Sequence, residues 1–273
     1  MQIEVNRKTA KGLLTKASGF LEGYTHTLNP YTGCAFACSY CYVRQMPVAL
    51  FRSEAWGSWV DVKENAAALL AKELAKAKRR GPVTIFMSSA TDPYQPLEYQ
   101  ERLTRSLLEA MIAEPPDFVF VQTRSPLVKR DADLLQALGC RVRVSMTVET
   151  DREDIRRAFA PSAPPIPARL AALRELAARG IPVQAAIAPV LPSSEHFAER
   201  LVGIVERVCI DDYFMGDGSG GRRTARIGVR AIYDALGLPD WYGPDAFKRV
   251  HEQLLRHFPQ ERVLVSQEGF LPG

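Results

Sequence analysis

The sequence predicts an α/β fold, read most naturally as a partial (β/α)6 barrel with short N- and C-terminal extensions. Three observations lead there. Short apolar runs of buried-strand type alternate with stretches of helical period. Gly and Pro signals punctuate the helical stretches, at Gly81-Pro82, Pro115-Pro116, Gly180 and Gly237. The rhythm makes six βα units, as a parallel sheet requires. An open doubly wound sheet gives the same rhythm, and periodicity alone does not separate the two.

Residues 1–24 are mixed and polar, with Lys8, Lys11 and Lys16 and no clear period, and read as an N-terminal extension. The barrel is expected over residues 25–240 and opens with a short strand at 25–28. A helix over 61–80 takes Asp61 as its cap with Glu64 three residues on, and Leu69, Leu70 and Leu74 as its apolar stripe. A strand at 83–88 leads to a helix over 97–113, a strand at 118–122 to a helix over 131–138, and a strand follows at 141–148. The Pro-rich stretch 160–167 reads as a rigid turn. A helix over 168–179, a strand at 183–188, a helix over 194–208, a strand at 210–215 and a helix over 222–236 complete the barrel. Residues 241–273 form a C-terminal extension, with a helix over 245–258 and a strand at 262–265.

A chain of 273 residues can bury one large core, and 47% hydrophobic with 24% charged residues suits a soluble globular protein. No apolar run is long enough to span a bilayer and the start lacks a signal-peptide pattern, so a cytoplasmic protein with no membrane partner is expected. The net charge of +4 permits a nucleic-acid substrate without demanding one.

The chemistry concentrates in one loop. Cys34, Cys38 and Cys41 follow a C-x3-C-x2-C spacing and are three of the five cysteines. Three close thiolates can hold three irons of a cubane cluster and leave the fourth open to an outside ligand. A structural zinc site is the competing use, but such sites usually draw on two ligand pairs. Here no second pair exists, and His26 lies outside the usual zinc spacings.

That spacing, with Tyr40 just before the third cysteine, resembles the radical S-adenosylmethionine (SAM) superfamily. The flanks Asn29-Pro30-Tyr31-x-Gly33 and Tyr42-x-Arg44, with the later run Thr91-Asp92-Pro93-Tyr94-Gln95-Pro96-x-Glu98, resemble its spore photoproduct lyase-like branch, often labelled DNA repair photolyases. The resemblance implies a 4Fe-4S cluster on Cys34, Cys38 and Cys41 and SAM on the open iron. One-electron cleavage then yields a 5′-deoxyadenosyl radical, fed by a donor such as flavodoxin or ferredoxin. It also implies the barrel of the radical SAM type.

In a parallel barrel the reacting groups gather at the C-terminal strand ends. Ser88, Ser89 and Asp92 follow the second strand, where they can accept hydrogen bonds from the SAM ammonium; a Pro-stiffened turn explains Pro93 and Pro96 equally. Arg124 follows the third strand, where relatives tend to carry Lys, and could pair with the methionine carboxylate. Ser145, Thr147 and Glu149 alternate along the fourth strand and share one face. They suit ribose hydroxyls or a hydrogen-bonded core layer. Tyr40 is placed at the adenine, and Tyr94 and Tyr99 are offered as hydrogen relays in catalysis.

Cys140 and Cys209 precede strands and are expected at the bottom of the barrel. Spore photoproduct lyases use an additional cysteine as hydrogen-atom donor, and this chain has none from Tyr42 to Gly139. That departure leaves two substrate readings, a nucleobase lesion or a small molecule, peptide or RNA. A non-catalytic iron–sulfur electron carrier is the rival of another class. Arg152, Arg156, Arg157, Arg222, Arg223, Arg226 and Arg230 could line the barrel mouth as a phosphate edge or form a solvated face. Residues 216–221, rich in glycine, read as a lid over the mouth.

Overall fold

The computed structural model describes residues 3–272. Its strands are β1 (Glu4–Lys8), β2 (Leu14–Lys16), β3 (His26–Leu28), β4 (Tyr31–Thr32), β5 (Trp59–Lys63), β6 (Thr84–Met87), β7 (Phe118–Thr123), β8 (Val142–Thr147), β9 (Val183–Ile187), β10 (Val208–Ile210) and β11 (Val263–Val265). Eight of them form one sheet in the order β11-β10-β9-β8-β7-β6-β3-β2, parallel throughout except for β2. From β3 to β10 the spatial order is the chain order. A doubly wound sheet reverses its order at a switch point, so this is a partial barrel and not the doubly wound alternative.

The two faces of the sheet are filled differently. Outside, Ile85, Met87, Val119 and Val121 pack with Leu70 and Leu74 of the helix Ala66–Lys78 and with Leu107, Leu108 and Met111 of the helix Leu103–Ala113. Inside, Phe86, Phe118, Phe120 and Cys209 meet Tyr24 and Phe270. Phe86 and Phe120 stack with centroids 5.1 Å apart, Tyr24 meets Phe86 edge-on, and its hydroxyl donates to the Phe270 carbonyl at 2.6 Å. The two terminal segments thus plug the lower barrel, which leaves the upper end open to ligands. Phe270 comes from the segment after β11, and β11 itself continues the main sheet.

Several expectations need correction. Asp61 caps no helix: it lies in β5, buried, where Lys8 reaches it at 2.7 Å and Arg52 also bonds it. The N-terminal segment is built into the fold, since β1 pairs parallel with β5 and, with β4, makes a second three-stranded sheet. Residues 194–208 hold only the 3-10 turn Glu199–Leu201, because Gly203 at φ +72° breaks the helical period and Val208 already begins β10. The strand expected to run to residue 215 stops at Ile210; Asp212 accepts the N–H groups of Phe214 and Met215 and starts a helical turn instead. The helix over 222–236 divides at Gly228 into Arg222–Arg226 and Val229–Ala235. Among the described residues no helix is long and apolar enough to cross a membrane.

Candidate functional site

A cavity of about 630 Å³ opens at the C-terminal strand ends, and Cys34, Cys38 and Cys41 all line it. Their loop is shaped by short-range constraints. Gly33 sits at φ +85°, and a Cβ there would fall 2.6 Å from the Trp59 carbonyl oxygen, so only glycine fits. Two turns, Ala37 N–H to Cys34 O at 3.2 Å and Cys41 N–H to Cys38 O at 3.1 Å, bring the three thiols to one wall. The run after β6 then buckles the loop down. Thr91 Oγ1 donates to the Gly33 carbonyl at 2.6 Å, and Gln95 Oε1 accepts the Ala35 N–H at 2.9 Å. On the other side, Ser39 donates twice to the Phe159 carbonyl. The two sequence motifs are therefore one physical unit.

Behind the thiols lies a buried charge network. Arg124 Nη1 stands 2.9 Å from Cys38 Sγ, 2.6 Å from the Tyr40 hydroxyl and 2.7 Å from Glu149 Oε1. Glu149 Oε2 accepts from Arg169 at 2.6 Å, and Tyr40 bonds the same carboxylate. Burial alone pushes Glu149 up, but the Arg169 and Arg124 guanidinium groups outweigh it and hold its pKa down at about 2. Asp92 is also spoken for: Oδ1 accepts from Tyr94 N–H and Thr123 Oγ1, and Oδ2 from Arg124 N–H. Burial raises the Asp92 pKa all the same.

Burial likewise pushes the Cys41 thiol up to about 11, with the nearby Cys38 adding to the effect, and lifts Cys34 and Cys38 as well. Three crowded thiols that oppose one another's ionisation are matched to a cationic group that would draw them out as thiolates. The same cavity holds buried polar atoms without a protein partner, Ser88 Oγ and Gln122 Oε1 among them, as a polar ligand requires. Among the described residues, no three His, Cys, Asp or Glu groups are gathered closely enough to hold one metal ion, and His26 lies in a separate groove beside Glu73 and Lys76. Three thiols on one wall could hold three irons of a cluster and leave the fourth open to a ligand in the cavity.

Of the expected site residues, Tyr40, Ser88, Ser89, Asp92, Arg124 and Thr147 join the cysteines around the cavity. Ser145 does not reach it and bonds Gln184 Nε2 at 3.2 Å in the core layer beneath. Glu149 stands behind Tyr40 and Arg124. The proposed relays lie elsewhere: Tyr94 is fully buried off the cavity, and Tyr99 is 74% exposed on the turn Glu98–Glu101. Cys140 is exposed at the base as expected, whereas Cys209 sits inside the barrel against Gly269 without lining the cavity. Arg156 is buried on the carbonyls of Ala160 and Ala163 and so serves no phosphate edge, while Arg152 forms a surface pair with Asp154. The glycine-rich loop is stitched by Asp217, which accepts from Ser219, Gly221 and Thr224.

Sequence reasoning missed Asp211 and Asp212. Both line the cavity at the end of β10, and it placed them inside a longer strand. Burial pushes Asp211 up to about 7. Gly216 makes room for it, since a Cβ there would fall 1.9 Å from Asp211 Oδ2. Two acids directly after a short apolar run were the available signal.

Comparison with known proteins places this geometry. A profile described as the radical SAM superfamily matches residues 28–201. An uncharacterized protein of Methanocaldococcus jannaschii is 34% identical over 172 residues, 63% of this chain and 62% of that one. One of Mycobacterium tuberculosis is 31% identical over 186 residues, 65% of this chain and 54% of that one. The chain thus spans 54% to 62% of the length of these curated relatives. Among solved structures, spore photoproduct lyase complexed with dinucleoside spore photoproduct superposes with a TM-score of 0.65 at 17% identity, covering 96% of this chain and 81% of that chain. A mutant of that lyase with bound AdoMet and the same dinucleoside gives 0.62 at 16% identity over the same shares. Streptococcus suis SuiB bound to precursor peptide SuiA gives 0.51 at 12% identity, over 77% of this chain and 46% of that chain. At these identities the likeness is one of fold.

Proposed function

The chain belongs to the radical SAM superfamily of enzymes, and we propose that it holds a 4Fe-4S cluster on Cys34, Cys38 and Cys41 and binds SAM in the adjoining cavity. Once bound, these groups supply an electron and a sulfonium whose cleavage gives a 5′-deoxyadenosyl radical able to take hydrogen from a substrate. The observation that carries the reading is the convergence of three thiols, the Arg124 guanidinium and unpartnered Ser88 and Gln122 oxygens on one cavity. Arg124 spends Nη1 on Cys38, Tyr40 and Glu149, which leaves Nε and Nη2 donors for a methionine carboxylate. Ser88 Oγ and Thr147 offer hydroxyls to the ammonium and the ribose. Asp92, with both oxygens engaged, fixes the loop that carries them. Aromatic and aliphatic groups at the cavity floor, Phe86, Phe270 and Ala188, keep water away from the reacting atoms.

The reducing electron comes, in this reading, from a flavodoxin or ferredoxin in the cytoplasm. A nucleobase lesion is the substrate suggested by the motif resemblance. A small molecule, peptide or RNA is favoured by a specific observation: neither Cys140 nor Cys209 reaches the cavity to act as hydrogen donor. Anaerobic reconstitution followed by reduction with dithionite tests the core claim. Iron and sulfide should be taken up and 5′-deoxyadenosine should form from SAM. A colourless protein holding one tetrahedral metal would overturn it, and a reduced cluster that leaves SAM intact would reduce the chain to an electron carrier. Salt-sensitive binding of DNA supports the nucleobase substrate; absence of binding at low salt removes it.

A further inference from the structure

We propose that Asp211 and Asp212 form a substrate subsite on the β10 wall of the cavity, one that receives a protonated amine or amidine-type nitrogen. The inference deepens the radical SAM reading and rests on it for the rest of the cavity. Asp211 is 7% exposed and Asp212 6% exposed, yet Asp211 Oδ1 and Asp212 Oδ2 have no hydrogen-bond partner in the protein. Both residues face the cavity. The other oxygens are occupied: Asp212 Oδ1 accepts from Phe214 and Met215 N–H, and the Asp211 carboxyl has the Asp212 N–H and the Ser266 hydroxyl beside it, with Oδ2 lying against Gly216. One oxygen of each acid is therefore left without a protein partner at the cavity wall.

Two buried carboxyl groups without a cation are costly, and a fold retains them where a ligand completes them. The protein does not complete them itself. Arg223, the cation on this wall, donates to the Asp217 carbonyl at 2.8 Å, and Asp217 is consumed by its own loop. A phosphate or carboxylate ligand would meet repulsion here. A metal ion lacks a third ligand among the described residues. What remains is a group rich in N–H donors and carrying positive charge. Alkyl ammonium groups and guanidinium groups both have that chemistry.

Isothermal titration of the full chain, reconstituted with cluster and SAM, separates these sources with spermidine (alkyl ammonium) and agmatine (guanidinium) as probes. At least one should bind, and Asp211→Asn, which keeps shape and removes charge, should raise its Kd about tenfold or more, the size of a lost charge-assisted hydrogen bond. Asp212→Asn keeps a capping oxygen and should weaken the same probe in the same direction. Binding of neither probe, or a smaller change with Asp211→Asn, overturns the subsite. So does an equal rise in the Kd of SAM itself, which would give the wall to the cofactor. Should wild-type protein bind a probe through Asp211 but fail to cleave SAM, the subsite stands and the radical reading falls.

Discussion

On the β7–β8 wall of the cavity, Glu149 gives one oxygen to Arg124 and Tyr40 and the other to Arg169, while on the β10 wall Asp211 and Asp212 each keep an oxygen free. Both sets of acids are more than nine-tenths buried. The first wall is finished by the protein before any ligand arrives, so its groups are held in place by internal pairs. The second is left for a ligand to finish. In the reading proposed above, the first wall is the preorganised cofactor side and the second the side that a substrate completes.

The comparison fails most visibly if the thiols are not what the finished wall is built around. Cys38→Ala should bring 5′-deoxyadenosine formation to background, a loss of about a thousandfold or more, with iron content falling in parallel. Retained iron and retained cleavage would mean that the three thiols do not act together. A smaller but still large effect is expected from the pairs themselves. Arg169 is fully buried and bonds Glu149, the Thr147 carbonyl and the Pro164 carbonyl. Arg169→Met removes one of the two guanidinium partners of the buried Glu149 and should cost about 3–5 kcal/mol in urea unfolding. A loss under about 1 kcal/mol would show that the network stands without it.

The walls should also titrate in opposite senses. Glu149 is held down at about 2, so its pairing stabilises the fold above its unfolded pKa and that stability is lost as pH falls toward 2. Burial, with smaller contributions from Asp212 and Asp217, holds Asp211 up at about 7 against a backbone N–H and the Ser266 hydroxyl, which lower it. Its contribution is complete below the unfolded pKa and is lost as pH rises through 7. Between pH 6 and pH 8 wild type should lose about 1–1.5 kcal/mol that Asp211→Asn does not lose. Equal slopes for the two proteins would remove the contrast.

Much of this was legible in the chain, for definite reasons. β7, β8 and β9 are mostly buried; β7 reads as an apolar run, β8 as Val142, Val144 and Met146 alternating with polar residues and β9 as a short, mostly apolar run, so all three fall within a residue or two of expectation. The cysteines and Arg124 were found because spacing and strand-end position both constrain them. Residues 194–208 misled because Phe197, Leu201 and Val205 are buried at helical spacing without a continuous helix. β1 was invisible because its partner β5 is distant in sequence and its own side chains are mostly exposed. Asp211 and Asp212 escaped because their meaning depends on where β10 ends, and the Asp212 cap decides that. Tyr94 and Tyr99 were assigned by proximity to a motif that turned out to buckle the cysteine loop.

The smallest expected effect on stability tests whether the finished wall still leaves something for the cofactor. Ser88 ends β6 at φ +78°, is 5% exposed, and its backbone N–H bonds the Leu28 carbonyl at 2.8 Å while its hydroxyl is unpartnered. Removing an unsatisfied buried hydroxyl costs the fold little, since no protein hydrogen bond is broken. Ser88→Ala should therefore leave the urea midpoint within about 0.5 kcal/mol of wild type. If the hydroxyl serves the SAM ammonium, the same substitution removes one charge-assisted hydrogen bond of about 1.5–3 kcal/mol, and the Kd of SAM should rise about tenfold or more. A drop in stability with unchanged SAM affinity would instead make Ser88 part of the scaffold. Ser88→Gly separates the remaining possibility: it relieves the left-handed backbone and should stabilise the fold while weakening SAM as Ala does.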